Sequence, residues 1–353
     1  MIKLTISDGA NVSDVTGLCE SVTWSGDYQQ CVRTLEFALI QSSTDGNVPV
    51  VKCELGNLVT FSMDGRVLFL GYIFSREKST NNSKISIKCY DRGIYVKQNK
   101  GTYKFTGQTA ENIASRVCSD FGIPTGELAA TGIGATRIFN GVSLYNIIQT
   151  AYTLASQKNG KKYIARFVGD KFCVLEKKVN DETLILEGGV NLMQADVSES
   201  IEGIVNQVAI YDSSGNLART VKNDASIRLY GLIQNRVKQA SGKDVSAEAN
   251  ELLKKSEPEQ KIKVENLGNI ANVTGGTVVV HEPYTGAYGM FFIDSDTHTW
   301  KNGQYYNSLV LNFQNMMDEQ EAGSLPNKTG SKTESKGEPL VWKYDPGGSE
   351  HVG

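Results

Sequence analysis

The sequence predicts an α+β fold that is mostly β, built as two small β-barrel domains with α/β units between them and inserted into the second. Three observations predict it. Apolar residues alternate with period two, the pattern of a strand with one buried face, through residues 1–95 and again after residue 190. Turn signals separate the runs: Asp64-Gly65 and Lys301-Asn302-Gly303 each lie between two alternating stretches. Between the two β regions, apolar residues recur at helical spacing in two stretches. The 353 residues exceed one small core and suggest about two to four domains. With 35 Gly and 7 Pro, the chain has the composition of many turns between strands.

The elements follow in order. Residues 1–95 read as the first barrel, with strands at Ile2–Ile6, Cys19–Trp24, Cys31–Leu39, Leu58–Met63, Val67–Glu77 and Lys84–Tyr90. Residues 96–185 read as an α/β domain. Its first helix starts at Thr109, which can cap it, carries Glu111 in the positive first turn, and ends at Gly122 before Pro124. The second runs from Ser143 to Gln157, with Leu144, Ile147, Ile148, Ala151 and Leu154 on one stripe. Lys162–Val168 and Lys171–Leu175 form a hairpin around Gly169-Asp170.

The second barrel is discontinuous, residues 186–225 and 283–316, with an α/β insert at 226–282. Its strands are Met193–Ser198, Val205–Tyr211 and Ala218–Val221, closed by a final ribbon. Within that ribbon Met290 to Asp294 and Tyr305 to Phe313 alternate as two strands, and Asp296 to Gln304 reads as the connection. In the insert, Ala247–Lys255 is a short helix, and Gln260–Val264 and Thr277–His281 are strands. Residues 317–353 are polar and rich in Lys, Ser and Gly, too poor in apolar surface to offset ordering entropy, and read as a flexible tail. Leu340, Val341, Trp342 and Tyr344 stand at its far end, an apolar cluster on a tether, and read as a docking segment for a partner.

Charge and chemistry narrow the function. A net charge of −3 lacks the basic excess of a stable nucleic-acid binder. The N-terminal MIKLTISDGA has no long apolar run, and no window of 18 apolar residues exists, so neither a signal peptide nor membrane insertion is expected. Six cysteines, at 19, 31, 53, 89, 118 and 173, are widely spaced and read as buried reduced thiols rather than zinc ligands. Asp294, Asp296 and His298 would share one strand face and could hold a divalent cation; the commoner reading is a strand end turning to solvent. Paired carboxylates such as Glu199 and Glu202, or Glu257 and Glu259, carry no information without a pocket. The three histidines, at 281, 298 and 351, accompany no nucleophile elbow, and Gly132-Ile-Gly134 is no dinucleotide fingerprint. No catalytic, cofactor or metal residue is assigned, and no enzyme activity is expected.

Four stretches carry a resemblance: Asp91-Arg-Gly, Phe105-Thr-Gly-Gln-Thr-Ala, Tyr230-Gly-Leu-Ile-Gln, and the Asp296–Leu311 hairpin with its Asp-Thr-His-Thr-Trp corner. With the element order, they resemble baseplate hub proteins, the late-control-protein D family of contractile phage tails and R-type bacteriocins, in its Gram-positive prophage type. These are similar to the hub part of type VI secretion spike proteins. The resemblance covers residues 1–316. It implies a non-enzymatic homotrimer with no cofactor. Two barrels per chain would make a pseudo-six-fold ring around a channel, joining the tail tube or tube-initiator protein to the central spike protein and touching neighbouring baseplate proteins. It would be assembled in the bacterial cytoplasm and released in the particle. Tyr103 to Ala114 also resembles the start of a LysM module. The alternative is therefore a peptidoglycan-binding or cell-wall-degrading tail protein.

Overall fold

The computed structural model describes residues 1–41, 51–79, 83–180, 183–239 and 245–326. Seven strands come from the first 91: β1 (Ile2–Ser7), β2 (Val12–Asp14), β3 (Cys19–Asp27), β4 (Thr34–Ile40), β5 (Leu58–Met63), β6 (Arg66–Lys78) and β7 (Lys84–Asp91). All but the short β2 were legible as alternating runs. The β5–β6 turn places Asp64 at φ 50° and Gly65 at φ 80°, the two left-handed residues of a tight hairpin. The alternation buries Leu4, Leu35, Val59, Phe61, Ile73, Ile85 and Cys89 in one core.

The next unit holds α1 (Gly93–Gln98), β8 (Lys100–Thr109), α2 (Ala110–Asp120), β9 (Thr125–Leu128), β10 (Gly134–Ser143), α3 (Leu144–Asn159), β11 (Tyr163–Val168) and β12 (Lys171–Glu176). β8 pairs with β10, and β11, β12 and β9 form a second small sheet. The helices bury Ile113, Val117, Ile147, Ile148 and Tyr152 against them. Ser143 caps α3 by accepting the Asn146 N–H at 3.2 Å. Thr109 does not cap α2: its hydroxyl makes no bond to the first turn. Glu111 instead turns to a loop and accepts the Thr131 hydroxyl at 2.8 Å and the Thr131 N–H at 3.1 Å.

The remainder supplies β13 (Leu184–Glu187), β14 (Leu192–Ser200), β15 (Gln207–Tyr211), β16 (Leu217–Lys222), α4 (Asp224–Tyr230), β17 (Gln234–Lys238), α5 (Ser246–Leu253), β18 (Glu259–Leu267), β19 (Thr277–Glu282), β20 (Ala287–Lys301) and β21 (Gln304–Asn312). β16, β15 and β17 make a separate three-stranded sheet, packed by Val208, Ile210 and Val237 against Ala249 of α5. β18 and β19 lie in the large sheet.

The class is α+β and mostly β, as expected, but among the described residues no sheet closes into a barrel. Instead one 13-stranded sheet runs β14-β18-β21-β20-β3-β4-β7-β6-β5-β1-β2, with β19 and then β13 attached beside β20. The cause is the length of β20. Its first part, Ala287–Phe292, pairs with β19, its second, Ser295–Lys301, pairs with β3, and its other edge carries β21. The Asp-Thr-His-Thr-Trp stretch, expected as part of a connection, is therefore continuous strand. Only Asn302 (φ 53°) and Gly303 (φ 74°) turn the chain.

A second difference concerns the start of the tail. Residues 318–324 are not free: the first of them lie along α3, and Ser324 pairs with Ile138 of β10. Tyr145 donates to Asp318 Oδ2 at 2.6 Å, Gln149 Nε2 donates to the Asp318 carbonyl at 2.6 Å, and the Thr150 hydroxyl accepts the Ala322 N–H at 3.0 Å. Composition marks these residues as polar. It does not reveal that α3 offers a matching row of polar side chains.

Candidate functional site

The junction of β3 and β20 is where the two β regions meet, and it is built from charged residues. The inward face of β20 carries Asp294, Asp296 and His298, each at most 7% exposed. The guanidinium of Arg33, which precedes β4, grips Asp296 with both nitrogens; Nη1 to Oδ1 is 3.0 Å, and Nη2 bonds Oδ2. The same guanidinium lies 3.8 Å above the centre of the Trp24 ring. Asp296 Oδ1 also accepts the Thr274 N–H at 2.7 Å and the Thr274 hydroxyl at 2.6 Å. Burial alone would raise the Asp296 carboxyl, but the Arg33 charge and the His298 hydrogen bond outweigh it and hold the group well below the usual carboxylate range.

His298 continues the network. Its Nε2 faces two acceptors, Asp296 Oδ2 at 3.1 Å and the Asn272 carbonyl at 3.1 Å, so this nitrogen carries the proton. Nδ1 accepts from the Tyr305 hydroxyl at 2.7 Å and the Asn307 amide at 3.0 Å. Burial pushes the Tyr305 hydroxyl up to about 12, so it remains a donor. Asn307 Oδ1 accepts the Asn269 N–H at 2.8 Å and the Asn272 amide at 3.1 Å, tying the loop after β18 to the hairpin. Gly26 on β3 permits the close approach: a Cβ there would sit 2.3 Å from Arg33 Nη1.

Neither sequence reading of this triplet holds. It is not a strand end turned to solvent, because all three side chains point into the protein. It is not a common ligand set among the described residues either, because Arg33 and Thr274 hold the Asp296 carboxylate, His298 turns its N–H toward it, and Asp294 lies apart. An irregularity in the β20–β21 register between Ile293 and Ser295 sets Asp294 apart. Asp294 accepts from the Asn312 amide at 3.0 Å and lies 4.0 Å from the enclosed Lys177, whose Nζ donates to the Met316 carbonyl at 2.6 Å. Among the described residues the one hydroxyl that His298 meets is that of Tyr305, which burial keeps protonated as a donor, so the Asp296–His298 pair serves here as a link in a hydrogen-bond network. The arrangement locks two parts of the sheet in one register.

A second buried carboxyl lies beside it. Asp91, in the Asp91-Arg-Gly stretch, accepts the Gly93 N–H at 2.8 Å and the Arg33 N–H at 3.1 Å, joining the end of β7 to the start of α1. Gly93 is needed for the fit, since a Cβ would lie 2.5 Å from the Cys31 carbonyl. Burial pushes the Asp91 carboxyl up to about 7, against the pull of those two N–H groups. An unfolded Asp titrates near about 3.9. The folded state therefore holds the proton between those values, and the contribution complete below about pH 4 is lost as pH rises through 7. Urea unfolding at about pH 5 and about pH 8 is expected to show wild type losing on the order of 2 kcal/mol more than Asp91→Asn over that interval. Equal losses would mean that Asp91 stays ionised throughout.

The other candidates fall elsewhere. Tyr103 to Ala114 spans β8 and the start of α2, with Tyr103 and Phe105 stacked 5.3 Å apart. All six cysteines are unpaired thiols, five of them buried. Glu199 and Glu202 are exposed near the end of β14, away from any hydrogen-bonded carboxyl pair. The Tyr230-Gly-Leu-Ile-Gln stretch joins α4 to β17, and the buried Asn206 holds it by donating to the Gly231 carbonyl at 2.7 Å and accepting the Ile233 N–H at 2.8 Å. Leu340, Val341, Trp342 and Tyr344 lie outside the described residues. No helix of the described residues is long and apolar enough to cross a membrane.

This architecture, a long mixed sheet with an α/β unit after its first seven strands and a small sheet inserted near its other end, is a fold shared with phage tail and type VI secretion proteins. The 43 kDa tail protein of prophage MuSo2 from Shewanella oneidensis superposes with a TM-score of 0.65 over 88% of this chain and 98% of that one, at 13% identity. The E. coli protein c3393, a component of the type VI secretion system, does so with a TM-score of 0.51 over 92% of this chain and 79% of that one, at 12% identity. At such identities the likeness is one of fold. The chain belongs to the YQBQ-like family, whose model matches residues 22–312. It is similar to the XkdQ protein of the phage-like element PBSX of Bacillus subtilis strain 168, 25% identical over 312 residues, 86% of this chain and 94% of that one.

Proposed function

We propose that this chain is the structural hub of the baseplate in a contractile injection particle of Gram-positive prophage type. Three copies form a ring around a central channel and join the tail tube or its initiator to the central spike protein. The observation that carries the reading is the charge-locked β3–β20 junction, which joins two strand regions in one sheet, in a chain similar to a protein of a phage-like element. Two related β regions per copy let a trimer present six contacts to a six-fold tube. Strand edges support an assembly role: among the described residues β14 and β2 end the large sheet, and β13 ends the branch at β19. Beside β13 the outer face exposes Ile185 at 49%, Met290 at 42% and Tyr288 at 62%.

In this reading the chain is not an enzyme and needs no cofactor. It contacts DNA only in passage, and it lies in the baseplate of a particle assembled in the producing cell. Residues 1–95 and the region of β13, β14 and β18 to β21 act as the paired ring units, with residues 96–185 and the small sheet of β15 to β17 as outer domains. The Leu340–Tyr344 segment docks on a neighbouring baseplate or spike protein. Removing the gene from a producing strain is expected to leave no assembled tails in electron micrographs, and truncation at residue 330 is expected to impair assembly. Normal tails in the deletion strain would overturn the reading. Retention of the purified chain on isolated cell walls would shift it to the peptidoglycan-binding alternative.

A further inference from the structure

A cavity of about 140 Å³ lies between β6, the β11–β12 hairpin and residues 270–273, next to the charged junction. That is roomy for a small ion with its water, since one water needs on the order of 10–15 Å³. Its lining includes Trp24, Phe69, Asp91 and three arginines, Arg33, Arg66 and Arg166. The charges there do not balance. Arg33 is neutralised by Asp296, and Arg66 is exposed to water. Arg166 is partly buried, and among the described residues its side chain makes one hydrogen bond, from Nη1 to the Thr274 carbonyl at 3.3 Å. Its Nε is enclosed without a partner, and among the described residues no carboxylate stands within ion-pair distance of it. Asp91 is not the missing partner, because its two oxygens face the Gly93 and Arg33 N–H groups. A guanidinium cannot shed its proton to escape this environment, and its planar fork fits an oxyanion bidentately.

We propose that this cavity is a binding site for a small oxyanion, a phosphate or carboxylate group held by the Arg166 fork, with the Arg66 guanidinium as a second positive group on its lining. The ion arrives either free from solution or as the carboxylate of an acidic side chain of a neighbouring protein. The two sources differ in geometry, which the test uses.

Thermal unfolding of the full chain would be followed in sodium phosphate, in sodium acetate and in sodium chloride at equal ionic strength. A saturable rise of the midpoint in phosphate or acetate beyond chloride is expected. Arg166→Met should weaken the apparent affinity by at least about tenfold. In chloride alone Arg166→Met should be no less stable than wild type, because it removes an unpaired charge, whereas a purely structural arginine would be missed. Arg166→Lys, which keeps the charge but not the fork, should retain a weaker response. Stabilisation by phosphate alone assigns the site to a free tetrahedral ion, and stabilisation by acetate points to a side-chain carboxylate. No saturable response to either anion, or an unchanged response in Arg166→Met, would overturn the proposal.

Discussion

Asp296→Asn is expected to destabilise the protein by about 3–5 kcal/mol, read as a lower midpoint in urea unfolding. The substitution keeps the shape of the side chain and removes the charge that Arg33 requires. Arg33 would then be a buried cation with no counter-charge, 8% exposed and fixed against Trp24. The loss should exceed that of replacing both partners by apolar residues, because much of it is the cost of the stranded charge rather than the worth of the pair. The sign of the pH dependence follows from the depressed Asp296 carboxyl. Its contribution is complete above about pH 4 and is lost as pH falls below the ordinary carboxylate range. Wild type should therefore show an acid-dependent loss that Asp296→Asn lacks. A variant of unchanged stability would mean that the two β regions are joined by backbone pairing alone.

Trp300→Ala is expected to cost about 3–5 kcal/mol, with faster hydrogen exchange concentrated in β3 and β20. Trp300 sits on β20 yet packs into the core of the first seven strands, meeting Phe61 edge-on at 4.7 Å. It also stacks on Tyr305 at 4.4 Å, nearly parallel. Its Nε1 has no hydrogen-bond partner, so truncation leaves no acceptor stranded and the loss is one of packing. A Phe61→Ala variant should remove part of the same contact, and the two losses should combine to less than their sum. Exchange that quickens uniformly over the chain would argue against a local role at the junction.

These two residues show what the sequence reveals and what it hides. Hairpins with Asp64-Gly65 and Asn302-Gly303 were legible because positive φ at two successive residues restricts the residue types. Helices α2 and α3 were legible because each carries a long apolar stripe. β20 was cut short because Asp296 and His298 are polar and point inward, so hydropathy read them as a connection. The residue that makes their burial tolerable, Arg33, is 263 positions away, and no local pattern signals it. The same holds for Lys177 and Asp294. The short helices α1 and α4 and strands β2, β9 and β13 were missed because runs of three to seven residues hold too few periods to stand out. The closed barrels failed for another reason: alternation fixes which face is buried but not which edge a strand pairs with, and β20 is long enough to pair with both regions.

As a ring-forming hub, this two-region chain should close into a trimer. The most direct test is the mass of the purified chain by light scattering, alone and with the adjacent spike protein, followed by electron microscopy of the species found. The expected species is a particle of three chains of 38.5 kDa each, seen as a ring with a central hole, in at least the sample containing the spike protein. A chain that stays monomeric in both samples would contradict the hub reading.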